Sequence, residues 1–299
     1  MTLDFSTVLL QWAAGGLAFT WVTTRHREVS LGFGWVQRAV WAAIALCAGL
    51  TAVVLGDSGT GAVVRTVCSF GTVVAALSVL AVSVAMRKAG VSGARADRER
   101  RRERVAAMLD DSESPSVSND EVNAAEVLGD KPVGREFPPV LDLVAPTVAL
   151  IGLCGAASAD GGDYALTLSR LVVGAAFLGV ITDAMLLGHW YLMQPGLGRG
   201  PIRELVVWSG VLWPFEVVVY LVPTGMISVI NGTIDDGWGG LLGWTWLACA
   251  AATIILIGVA YAAVRERYYS AVMATTGLLY LAILTAFGQD LVARAVLSP

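Results

Sequence analysis

Eight runs of apolar residues, each long enough to cross a bilayer, decide what this chain can fold into. They cover roughly residues 5–23, 33–56, 64–86, 139–158, 166–194, 203–229, 240–263 and 269–288. A membrane-spanning helix needs about 20 predominantly apolar residues. Lipid offers no partner to an exposed backbone group, so each run must be a helix. The expected fold is all-α, a polytopic integral membrane bundle of about eight transmembrane helices. Composition agrees: 56% of the residues are hydrophobic and 15% are charged, whereas soluble domains carry about 25% charged residues.

Orientation follows from where the basic residues fall. The first, third, fifth and seventh connections carry them: Arg25 and Arg27, then the long segment 87–138, then Arg199 and Arg203, then Arg265 and Arg267. The alternate connections carry acids instead, Asp57, Asp160 and Asp163, and Asp235 and Asp236. Both termini are therefore expected outside, and the basic connections in the cytoplasm of a bacterial inner membrane. No cleavable leader is evident, because the first run ends at Thr-Thr-Arg-His-Arg and not at a small-residue cleavage site.

The segment 87–138 separates helices 1–3 (residues 1–86) from helices 4–8 (residues 139–299) and is split by charge. Residues 87–104 hold eight basic and three acidic side chains; residues 110–130 hold seven acids and no base. The first half is expected to lie along anionic lipid headgroups. The second is too polar to bury a core and reads as disordered. A protein partner could dock on this loop. A net charge of −4 gives no reason to expect nucleic acid.

Residues 182–201 carry the most unusual chemistry. An apolar run here holds Asp183 and His189 before a Gly/Pro-rich turn. Ionisable groups within a span are costly and are functional candidates by default. Counted from that turn at 1.5 Å per residue, Asp183 and Glu216 both lie about 18–20 Å into the bilayer. Two carboxyls at one depth would share a proton or hold a cation between them, which suits a proton or cation relay. Pro214, two residues before Glu216, frees a carbonyl in the same turn.

Arg38 and Asp142 lie at a shallower cytoplasmic depth. With His189 they are expected to form a polar layer able to hold a quinone head or a small anion. Met185 and Met193 flank His189 by four residues on each side, so one helix face reads Met-His-Met. Those ligands make copper or haem the candidate cofactors, although nothing in the sequence requires one. The cysteines, Cys47, Cys68, Cys154 and Cys249, sit inside apolar runs and read as small buried hydrophobes; a Cys68–Cys154 bridge near the outer face is the candidate pairing.

No hydrolase, kinase, zinc-protease or dinucleotide motif is present, so a non-enzyme is expected. The leading expectation is a proton- or cation-linked transport or permease-like role centred on Asp183 and Glu216. The alternatives are a membrane redox subunit contacting haem, metal or quinone near His189, and an accessory or assembly protein acting through the cytoplasmic loop.

Overall fold

The computed structural model describes residues 4–56, 58–89, 136–194, 196–223, 225–266 and 268–297. Among them every regular element is a helix: α1 (Phe5–Thr24), α2 (Leu31–Leu55), α3 (Thr60–Ala85), α4 (Val144–Ala159), α5 (Tyr164–Met193), α6 (Gly200–Leu221), the short α7 (Gly225–Ile230), α8 (Leu241–Arg265) and α9 (Tyr269–Leu297). Single 3-10 turns follow α3 at Arg87–Ala89 and lead into α4 at Pro139–Leu143. Eight helices among the described residues are long and apolar enough to cross a membrane, the number read from the sequence. Large apolar side chains cover the outside, among them Val54, Val63 and Leu284. A lipid environment requires such a surface, and water would penalise it.

Local chemistry sets the helix ends. The Asp4 carboxylate accepts the N–H groups of Ser6 and Thr7 at the start of α1, and Asp163 accepts that of Leu166 at the start of α5. Before α8, the Asp236 carboxylate accepts the backbone N–H groups of Trp238, Gly240 and Leu242 at 2.8–3.0 Å. These donors, Gly240 first, hold its carboxyl below the usual carboxylate range.

Two boundaries differ from the expectation. The run 203–229 is not one helix: α6 stops at Leu221 and α7 resumes at Gly225, because Pro223 supplies no N–H and disfavours helix in the residue before it. Conversely, α9 does not stop near residue 288 but runs on to Leu297. That extension carries Gln289, Asp290 and Arg294 inside the bundle, all of them fully buried.

α5 is the axis of the fold. Its most apolar stretch is 78% buried, more than any other span, as a helix apolar on all sides should be. It packs against α1, α4, α6 and α9, while α1 also holds α2 and α4. The α1–α5 crossing is backbone on backbone. A Cβ at Gly15 would stand 1.7 Å from the Ala175 carbonyl oxygen, and one at Gly179 would stand 2.2 Å from the Gly15 carbonyl carbon. Only glycine allows that approach.

The charge-split stretch 90–135, with the expected headgroup-binding and disordered parts, lies outside the described residues. Its C-terminal flank does not behave as a loop: Phe137 is buried and Glu136 pairs with Arg27 at 2.7 Å, so the bundle begins before residue 139. The four cysteines are free thiols, Cys47 exposed on the apolar surface and the others half-buried. None is a fully buried core residue, and no Cys68–Cys154 bridge forms.

Sidedness has a direct check. In a cysteine-free background, a cysteine at position 235 should react with a membrane-impermeant maleimide in intact cells, and one at position 120 should not. The opposite pattern would invert the orientation.

Candidate functional site

Two polar clusters are built into the bundle, one towards each end. The first lies towards the Asp4 end, where α6, α9 and α1 meet. Asp290 and Arg294 are four residues apart on α9, which stacks them on one face. Arg294 Nε donates to Asp290 Oδ2 at 2.8 Å, and the Tyr220 hydroxyl of α6 donates to Asp290 Oδ1 at 2.5 Å. Arg294 Nη2 donates to the Gln11 side-chain oxygen of α1. Gly174 of α5 makes room for that amide: a Cβ there would lie 2.2 Å from Gln11 Nε2.

Glu216 sits one helical turn before Tyr220, within electrostatic reach of Asp290 and Arg294. It is fully buried, and neither carboxyl oxygen has a hydrogen-bond partner among the described residues. Arg294 Nη1 and Gln11 Nε2 likewise have none. Buried polar groups are ordinarily paired, so this cluster has donors and acceptors left for something else. Arg294 also lines a cavity of about 350 Å³ at the Asp4 end, together with Asp4, Thr7, Arg65, Asp160 and Thr167.

The second cluster lies towards the Arg25 end. Arg38 of α2 grips Asp142 with two parallel hydrogen bonds, Nε to Oδ1 at 2.7 Å and Nη2 to Oδ2 at 2.8 Å. Both side chains are 2% exposed. The Thr24 hydroxyl donates to Asp142 at 2.9 Å, and the guanidinium lies over the Phe137 ring at 4.8 Å. Next to Thr24 on α1, the Thr23 hydroxyl donates to Asp183 Oδ2 at 2.9 Å. The Trp41 indole faces the same fully buried carboxyl, although Trp41 Nε1 and Asp183 Oδ1 do not reach hydrogen-bond geometry. Gln37, one turn from Trp41, is buried with both amide atoms unpartnered among the described residues.

No protein-family model, no curated protein and no solved structure matches the chain. The site must be read from its own geometry.

Arg38 and Asp142 pair as their shared depth implied. His189 does not join them: it is exposed on the bundle surface, edge-on to Tyr280 with ring centroids 5.4 Å apart. Asp183, through the adjacent Thr23 and Thr24, is the group that neighbours that layer. The Met-His-Met face diverges too, with Met185 8% exposed and Met193 74%. Among the described residues no three His, Cys, Asp or Glu side chains gather as metal ligands.

Asp183 and Glu216 are not brought together. Asp183 is held by Thr23 of α1, whereas the Asp290–Arg294 pair beside Glu216 is held by Gln11, about 18 Å away along the same helix. Between them, Trp12 donates to Thr182 at 2.9 Å and packs edge-on against Trp41 and Phe287, with centroids at 5.7 and 4.7 Å. An aromatic layer thus stands against α1 between Gln11 and Thr23. Depth alone had placed them level because it was counted from the turn, without knowing which faces met. Asp290, Arg294, Tyr220 and Gln11 were missed altogether. The Asp-x-x-x-Arg spacing at 290–294 was the available signal.

Proposed function

We propose that the chain is a proton-linked membrane carrier in which Glu216 takes up and releases the proton. The observation that carries this reading is Glu216 itself: a fully buried carboxyl with no hydrogen-bond partner among the described residues, beside an ion pair whose arginine lines a polar cavity. A permanent charge without a partner is costly there, whereas a carboxyl that gains and loses a proton as its surroundings change is useful. Tyr220 and Asp290 supply hydroxyl and carboxylate positions for onward transfer. Asp183 provides a second acid nearer the cytoplasmic face, and the Trp12–Trp41–Phe287 layer between them keeps protons from leaking through unaccompanied. In this reading the protein sits in a bacterial cytoplasmic membrane, with residues 87–104 along anionic headgroups. The redox alternative retains only His189 and Tyr280 on the lipid face, without the Arg38–Asp142 layer.

Reconstitution tests the proposal. Proteoliposomes holding a trapped pH dye should acidify inside when an inward pH gradient is combined with a transported solute. Glu216→Gln should cut that flux at least tenfold while the protein stays folded. A wild-type protein that moves protons with no member of a panel of small anions, cations and neutral solutes would overturn it.

A further inference from the structure

We propose that the cavity at the Asp4 end is a binding site for a small anion bearing a carboxylate or other oxyanion group, with Arg294 as its receptor. The inference rests on the carrier reading only for the purpose of the site, not for its chemistry. The cavity measures about 350 Å³, within the range of about 300–1,000 Å³ usual for small-molecule sites. Its wall is polar, and four charged residues contribute to it: Arg65, Arg294, Asp4 and Asp160. Arg65 is engaged by Asp4, and Asp160 accepts the Thr167 hydroxyl at 3.1 Å.

Arg294 is different. A guanidinium offers five N–H donors in a fixed planar fork. Nε is committed to Asp290 and Nη2 to Gln11, while Nη1 has no partner among the described residues in a side chain that is fully buried. An unused cationic donor on a residue that lines a polar cavity fits one kind of visitor, a negatively charged oxygen, which would complete the fork through a charge-assisted bond. Asp290 and Gln11 lock the guanidinium from two sides, so its orientation is fixed before a ligand arrives. Thr7 and Thr167 stand in the same wall as hydroxyl donors for a second oxygen.

The test uses purified full-length protein in detergent, titrated calorimetrically with sodium lactate and, separately, with inorganic phosphate, against sodium chloride at matched ionic strength. Saturable heat with either probe, absent with chloride, is the expected result. Lactate alone would identify a carboxylate site, and phosphate alone a phosphate site. The double variant Asp290→Asn/Arg294→Gln removes both charges of the pair together and should weaken binding at least tenfold. A second variant, Ala159→Trp at the exposed rim of the cavity, leaves both ion pairs intact and should weaken it similarly. Heat with neither probe, or affinity unchanged in both variants, overturns the proposal. Because the assay needs no gradient, binding without proton flux would preserve the site and sink the carrier, and flux untouched by Ala159→Trp would do the reverse.

Discussion

Asp142→Ala should cost about 3–5 kcal/mol of stability, because it leaves the Arg38 guanidinium charged, buried and without its partner. The bidentate pair holds α2 to the 3-10 turn that leads into α4, and Thr24 ties α1 to the same carboxylate. Arg38→Met should be comparably damaging, since among the described residues Asp142 would keep only the Thr24 hydroxyl. The informative variant is the double, Arg38→Met/Asp142→Leu. Removing both charges removes the desolvation cost along with the attraction, so most of the loss should be recovered. Thermal unfolding in detergent, followed by loss of monodisperse protein, reads all three. If either single variant cost less than about 1 kcal/mol, as surface ion pairs do, the pair would not be the clamp its geometry describes. A double variant no better than the worse single would show that the charges serve something other than each other.

The second large effect concerns the two acids. Asp183→Asn and Glu216→Gln should each lower proton flux at least tenfold, and their effects should multiply. Sites more than about 7–10 Å apart with no shared partner are additive to within about 0.3–0.5 kcal/mol. Thr23 and Trp41 attend one carboxyl and the Asp290–Arg294 pair the other, with the Trp12 aromatic layer between. A shared proton would behave in the opposite way, with the double variant no worse than either single. Infrared difference spectra in the protonated-carboxyl region separate the two cases. Each variant should delete its own band and leave the other; loss of one common band in both would restore a single shared site. Glu216 with Asp290 is where coupling should appear.

The sequence was readable wherever a single physical demand dominated. Lipid leaves the backbone no choice but helix, so the eight spans could be counted from apolar length alone. Charges in a span demand a partner at their own depth, and Arg38 and Asp142 found each other on that ground. Reading failed where two demands competed. Residues 225–230 are apolar enough to prolong α6, yet Pro223 overrides hydropathy. Asp290 and Arg294 fell beyond the apolar run that ended near residue 288, whereas four residues apart on a helix they neutralise one another and can be buried. His189 had the right depth for the Arg38 layer and the wrong azimuth. One-dimensional counting gives height in the membrane, but which way a side chain turns depends on neighbours that only the folded bundle supplies.

The Gly15–Gly179 crossing has a mechanical meaning. With no side chain between the two backbones, nothing there can be compressed, and a roll of one helix on the other about this contact would displace no side chain at it. Gly15 lies between Gln11, which belongs to the Arg294 site, and Thr23, which belongs to the Asp183 site. A rocking of the α5–α6–α8–α9 side against the α1–α4 side about this fulcrum would widen one end of the bundle as it narrowed the other. This backbone contact would thereby also be the place from which the two polar ends open in turn.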